Sequence, residues 1–191
     1  MKTLFVATAS NYKLAILKKV YKSIKSINHL SEEQIDQNRN PKVEAIRIAT
    51  EKVLSIPNPP ENSIIIGIDQ VSYFNNEYMR KPGNKLNQFE QLMKFNGNTV
   101  YFYTGVYIKD QTSGNTASYV DTTKVIFRNN SSEKINSYIA LENATDCAGG
   151  FKIESYGPLI ISEVISIDPY ALQGVPLLWV IDQLAKFGMD P

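Results

Sequence analysis

Ser63-Ile64-Ile65-Ile66-Gly67-Ile68-Asp69-Gln70-Val71 decides the fold. Residues 63–68 form a continuous apolar run of strand length, which marks a central strand buried on both faces. Such a strand needs helices packed over the sheet that contains it. The run stops on Asp69. A carboxylate at the end of a buried strand is costly unless it is paired, hydrogen-bonded or metal-bound. Strand ends in α/β folds are also where ligands gather. The alternative is an ordinary turn aspartate.

The flanking sequence supplies the helices and further strands. Residues 4–7 read as a short buried strand. Leu17, Val20, Tyr21, Ile24 and Ile27 then recur at helical spacing, with Lys18, Lys19, Lys22 and Lys25 mostly on the solvated side. Pro41–Leu54 fits a helix whose inner stripe is Val43, Ile46, Thr50 and Val53. Residues 56–62 make a rigid polar connection. Residues 86–95 read as a helix closed by Asn96-Gly97. Two aromatic and β-branched strands, 99–109 and 118–128, flank a hairpin-like loop over 110–115. Asn130 with Glu133 fits the cap of a helix reaching Leu141. A last helix runs from Pro176 to Gly188. The sum is a mixed α/β fold, a twisted sheet with flanking helices.

Composition narrows the function. The chain of 191 residues is 43% hydrophobic, enough for one substantial core, so residues 1–191 are expected to form a single domain. Lys and Arg number 20 against 19 Asp and Glu, which argues against a strongly basic nucleic-acid binder and against an acidic tail. The lone Cys147 allows no intramolecular disulfide or cysteine zinc cluster, and the lone His29 disfavours a Ser-His-Asp triad. Cys147 reads as a small buried residue rather than a nucleophile. His29 reads as solvated, and Tyr101, Tyr103 and Tyr107 as parts of a packed strand. No apolar stretch approaches a membrane span, and residues 1–7 are too short for a signal segment. The expectation is a reduced, cytoplasmic protein.

Three places carry candidate chemistry. The turn Thr8-Ala9-Ser10-Asn11-Tyr12-Lys13 opens a helix, and its backbone N–H groups, the Ser10 hydroxyl and the Lys13 ammonium suit a phosphate. A capping serine followed by a solvated lysine explains it equally. Asp69 is the second. Lys52, beside the inner stripe of its helix, and Lys81, in the proline-restricted loop Met79-Arg80-Lys81-Pro82-Gly83, are the third, although most lysines are simply solvated.

Taken in order, these pieces resemble the Maf family of nucleoside triphosphate pyrophosphatases. The resemblance rests on Ala7-Thr8-Ala9-Ser10-Asn11-Tyr12-Lys13, Arg47-Ile48-Ala49-Thr50-Glu51-Lys52, Gly67-Ile68-Asp69-Gln70-Val71 and Lys81-Pro82. It continues through Asn96-Gly97-Asn98, Tyr103-Thr104-Gly105, Asp146-Cys147-Ala148-Gly149-Gly150-Phe151 and Gly174-Val175-Pro176-Leu177. Tyr12, Gln70 and Glu154 at the base-reading positions look like the 7-methyl-GTP branch. Lys13 stands where the family has Arg, and Asp36-Gln37 is read as the acidic pair before the second helix.

The resemblance implies an inosine-triphosphatase-like fold with two lobes around a nucleotide cleft. It implies the reaction NTP + H2O → NMP + diphosphate, with a divalent cation (Mg2+ or Mn2+) as cofactor and nucleotide-pool housekeeping as the role. Asp69 would be the general base or a metal ligand, with Asp36 as a second ligand. Lys52, Lys81 and Lys13 would neutralise phosphate charge, Ser10 would seat a phosphate, and Tyr12, Gln70 and Glu154 would read the base. The implied partner is a nucleotide rather than nucleic acid or membrane, and a homodimer is compatible with the reading. Pyrimidine triphosphate cleavage and non-catalytic nucleotide binding are the alternatives.

Overall fold

A computed structural model describes residues 2–191; Met1 lies outside them. The elements run β1 (Thr3–Ala7), α1 (Asn11–Lys18), β2 (Lys25–Ile27), α2 (Pro41–Leu54), β3 (Ser63–Phe74), β4 (Glu77–Met79), α3 (Lys85–Phe95), β5 (Thr99–Asp110), β6 (Thr116–Phe127), α4 (Ser132–Leu141), β7 (Ile161–Ile165) and α5 (Leu177–Lys186). Short 3-10 turns occupy Ala148–Gly150, Gly157–Leu159 and Ala171–Gln173. The strands form one mixed sheet in the order β2-β1-β3-β5-β6-β7, with β4 on the far half of β3. β1 is parallel to β2 and β3, and the remaining pairs are antiparallel.

β3 explains the architecture. It does not stop at Asp69, as the sequence suggested, but continues to Phe74. What stops is its neighbour: β1 pairs with Ser63 to Gly67, and β4 pairs with Ser72 to Phe74. Among the described residues no strand covers 68–71 on that edge, so Asp69 sits in a gap of the sheet rather than at a strand tip. Its other edge stays paired, with Asp69 opposite Gly105 and Gln70 opposite Thr104.

One face of the sheet carries two separate cores. Ile64, Ile66 and Ile68 pack with Leu17, Val180 and Leu184 under α1 and α5. Farther along the same strands, Phe74, Phe102 and Phe127 pack with Leu92, Phe95, Ile135 and Tyr138 under α3 and α4. A polar row across three strands, Gln70, Thr104 and Asp121, falls between the two. Long strands therefore join two lobes whose helices leave a valley over that row.

α2 covers the opposite face at unusually short range. A Cβ on Gly67 would lie 2.0 Å from the Ala49 carbonyl oxygen, and one on Gly105 would lie 2.3 Å from that of Ala45. This contact corrects the expected helix stripe. The buried side is Glu44, Ala45, Ile48, Ala49, Lys52 and Val53, while Val43 is exposed. Ala45 and Ala49 make the closest approach to the sheet, Ile48 and Val53 pack beside them on Val71 and Ile65, and this face buries Lys52. Gly105→Ala is expected to force the helix off the sheet and cost about 1–3 kcal/mol of stability, as overpacking does. Urea unfolding would measure it, and an unchanged midpoint would contradict the close contact.

Other boundaries also differ. The first helix ends at Lys18, and residues 25–27 form β2, which gives β1 a parallel partner. Tyr21 and Ile24 still reach the core, so the apolar spacing persists without the helix. Ser131, rather than Asn130, caps α4 by accepting the Lys134 N–H at 3.3 Å. The Asn130 amide instead donates to the Ile160 carbonyl at 3.0 Å.

Candidate active site

The valley deepens into a cleft of about 840 Å3 at the C-terminal end of β1. Ser10, Tyr12, Lys13, Lys52, Asp69, Gln70, Lys81 and Glu154 all line it. These residues come from five separate stretches of chain, so the sheet gap, the start of α1 and the buried side of α2 jointly create the site.

At its floor, Lys52 Nζ lies 2.7 Å from Asp69 Oδ1 and 3.1 Å from Glu33 Oε1. Lys52 is 3% exposed and Asp69 is 9% exposed. Burial opposes the charge on Lys52, but Asp69 and Glu33 outweigh it and hold its pKa above the ordinary lysine value. Burial likewise opposes ionisation of Glu33, and Lys52 outweighs it, so Glu33 titrates below the usual glutamate range. The uncovered Ile68 carbonyl accepts from Lys13 Nζ at 3.1 Å and from Lys52 Nζ at 3.4 Å. Lys13 is pulled down to about 8, first by burial and then by the neighbouring Lys52, despite Asp69 and Glu33. Lys81 is exposed on the rim of the cleft.

The start of α1 is built by short-range bonds. Thr8 Oγ1 accepts the Ser10 N–H at 3.0 Å, and Ser10 Oγ accepts the Lys13 N–H at 3.3 Å. Ser10 is therefore the helix cap and a cleft residue at once. The expected serine cap is present, but Lys13 is buried against the Ile68 carbonyl rather than solvated.

The remaining positions line the cleft around this floor. Tyr12 donates its hydroxyl to Gln173 Oε1 at 2.9 Å. Burial and the nearby Glu154 carboxylate push the phenol well above its ordinary pKa, so it remains a neutral donor. Glu154 is exposed on the facing wall. The Gln70 amide is committed elsewhere: its Nε2 donates to Thr104 Oγ1 and the Ala171 carbonyl, each at 3.0 Å. It braces the 171–173 turn from beneath the valley. Gly174, at φ +85°, follows that turn, and its missing side chain leaves room for the Lys13 methylenes.

Asp36 is not among the residues that line the cleft. Its N–H donates to Glu44 Oε1 at 2.8 Å, and its carboxylate lies 3.4 Å from Arg39. It belongs to the ionic loop ahead of α2. The acidic residue brought to Lys52 is Glu33, held at φ +54°. The signal for it was the adjacent pair Glu32-Glu33, which lies just upstream of Asp36-Gln37. His29 is also not solvated, since its side chain is only 10% exposed and its Nε2 lies 3.7 Å from Glu33 Oε1. Burial and Lys52 lower its pKa. Cys147 is half-buried in the cleft wall, and burial with Asp146 pushes its thiol up to about 12, so it is no thiolate nucleophile.

Comparison with known proteins places the chain in a family. The family model described as Maf-like protein matches residues 3–187. The 7-methyl-GTP pyrophosphatase of Pseudoalteromonas atlantica is 35% identical over 187 residues, covering 98% of this chain and 96% of the relative. That of Colwellia psychrerythraea is 33% identical over 190 residues, covering 100% and 95%. That of Hahella chejuensis is 34% identical over 188 residues, covering 98% and 94%. With a mixed sheet of the expected kind, a cleft between two lobes and these full-length relatives, the chain belongs to the Maf family.

Proposed function

We propose that this protein is a hydrolase that cleaves 7-methyl-GTP to 7-methyl-GMP and diphosphate, with all 191 residues working as one domain. One observation carries the reading: a single cleft holds Asp69 and three lysines together with Tyr12 and Glu154. The names of the full-length relatives agree with it.

A triphosphate needs concentrated positive charge, and its cleavage needs a positioned water. Lys13, Lys52 and Lys81 bind the phosphates and stabilise the leaving diphosphate. Ser10 and the first-turn N–H groups of α1 seat one phosphate. Asp69 uses Oδ1 to accept from Lys52, leaving Oδ2 to take the proton of the water that attacks the α-phosphorus. Lys52 fixes the orientation of that carboxylate.

A divalent cation, Mg2+ or Mn2+, fits this donor set. Among the described residues no group of three or more His, Cys, Asp or Glu gathers into a cage. Mg2+ is ordinarily held by one or two carboxylates together with substrate phosphates. Asp69 and Glu33 would be those carboxylates; Asp36, tied to Arg39, is not needed. When bound, the ion supplies charge neutralisation on the phosphates.

Specificity follows from Tyr12 and Glu154. N7-methylated guanine is cationic, and stacking on the Tyr12 ring contributes about 0.5–2 kcal/mol. Glu154 accepts from the guanine N1–H and exocyclic amine, at about 1.5–3 kcal/mol per charge-assisted bond. A pyrimidine offers neither the fixed charge nor that donor pair. Gln70 acts on the base indirectly, by bracing the turn beside it. The reading places the protein in the cytoplasm as a nucleotide-pool enzyme. No helix among the described residues is long and apolar enough to cross a membrane.

Purified protein should release diphosphate and monophosphate from 7-methyl-GTP in preference to GTP, dTTP, UTP and CTP. Equal turnover across that panel overturns the specificity, and binding without product favours the non-catalytic reading. The lowered pKa of Lys13 adds a pH signature. As pH rises through about 8 the free protein loses this charge, so KM should climb, whereas Lys13→Arg should stay flat because guanidinium does not titrate there. Parallel profiles would remove Lys13 from phosphate binding. For stability the sign is opposite. The unfolded chain keeps the lysine proton up to its ordinary value, so this group favours folding increasingly as pH rises from about 8 toward 10.5.

A further inference from the structure

Beside the Glu154 wall of the cleft lies a second hollow of about 380 Å3, open to solvent. Ile153, Glu154, Leu172 and Gln173 border both spaces. Ser10, Lys13, Glu33, Lys52, Asp69 and Lys81 do not border the second, so the hollow adjoins the cleft away from the phosphate groups. The doorway between the two spaces is formed by Ile153, Glu154, Leu172 and Gln173, and Gln173 also accepts the Tyr12 hydroxyl at 2.9 Å. Beyond that border the walls are Val164, Ser166 and Pro169. The one hydroxyl there, on Ser166, donates to the Asp168 carbonyl at 2.8 Å. What remains is an apolar recess of the size that small organic groups fill.

We infer that this recess is a substrate subsite for a hydrophobic substituent on the exocyclic amine of guanine. The inference rests on the proposed role of Glu154 in reading the guanine N1–H and amine. A guanine in that pose points its amine at the doorway. Substitution removes only one of the two amine hydrogens. The other hydrogen and N1–H still reach Glu154, while the substituent passes between Glu154 and Gln173 onto Val164 and Leu172. A group on the ribose or phosphates would start away from the doorway. The substrate class therefore extends to guanine nucleotides carrying aryl or alkyl groups on the amine, cleaved at the same α-phosphorus with diphosphate as the leaving group.

The test compares 7-methyl-GTP with its N2-benzyl derivative on wild-type protein and on Val164→Trp. Val164 lies on edge strand β7 and is 37% exposed, and it has no part in the phosphate or base contacts above. Wild-type protein should turn over both nucleotides, with KM for the benzylated one lower by about tenfold because an aryl ring leaves water. Val164→Trp fills the recess. It should cut kcat/KM for the benzylated nucleotide by at least about tenfold and leave 7-methyl-GTP unchanged, which also reports that the variant is folded. Rejection of the benzylated nucleotide by wild-type protein overturns the subsite. So does a Val164→Trp effect that is absent or equal on both substrates. Failure of wild-type protein on 7-methyl-GTP itself is a different result: it overturns the underlying functional reading, and the subsite with it.

Discussion

Asp69→Asn should abolish diphosphate release, by about a thousandfold or more, in a protein that still folds. The side chains are nearly isosteric, and the register that holds residue 69 opposite Gly105 is set by the backbone. The Lys52 ammonium is not stranded, because Glu33 remains 3.1 Å away. What disappears is the anionic oxygen able to take a proton from water, and general-base catalysis alone is worth about 10²–10⁴-fold. Loss of an anchor for a divalent cation would deepen the defect. The measurement is diphosphate release together with a urea unfolding curve. Activity within about tenfold of wild type would remove Asp69 from the mechanism, and an unfolded variant would identify it as structural.

The mixed α/β fold and the lining of the cleft were both legible in the sequence, in different ways. Residue types at Ser10, Tyr12, Lys13, Lys52, Asp69, Lys81 and Glu154 were legible because short motifs with fixed spacing accompany them, and all seven line one cleft. The β3 run was equally clear, since six residues without a charge have few other homes. The sheet gap was not legible. It depends on where β1 ends and β4 begins, and the three-residue β4 has too little pattern to be recognised alone. The buried face of α2 departs from its apolar pattern for a physical reason. Hydrophobic periodicity assumes that large aliphatics mark the buried side, but here Ala45 and Ala49 lie against Gly105 and Gly67. Glu33 has no apolar or motif context in the sequence, and a surface-like Glu32-Glu33 pair looks solvated until Lys52 stands beside it. Asp168 gave no local signal either, although its carboxylate accepts the Leu178 N–H at 2.7 Å and so anchors the start of α5.

Lys52→Met should damage both folding and catalysis, and pH separates the two effects. Methionine preserves the buried stem and removes the charge that Asp69 and Glu33 share. Two carboxylates would then lose the cation they share, leaving Lys13 as the nearest remaining positive charge. Removing one partner of a buried ion pair costs about 3–5 kcal/mol, so at neutral pH the unfolding midpoint should fall sharply. In wild-type protein the depressed pKa of Glu33 means that its pairing stabilises the fold above the ordinary glutamate pKa, and that this contribution fades as pH falls through the folded value. In the variant the sign reverses for the acid pair, because like-charge crowding raises at least one carboxyl pKa. Protonation then relieves the fold, and the deficit relative to wild type should shrink as pH drops from 7.5 toward 5. Unfolding curves across that range measure it. A deficit independent of pH would mean that Lys52 acts through packing alone. Activity should stay low at every pH, since neutralising the acids also removes the base, whereas a variant limited only by folding would recover turnover wherever it regains stability.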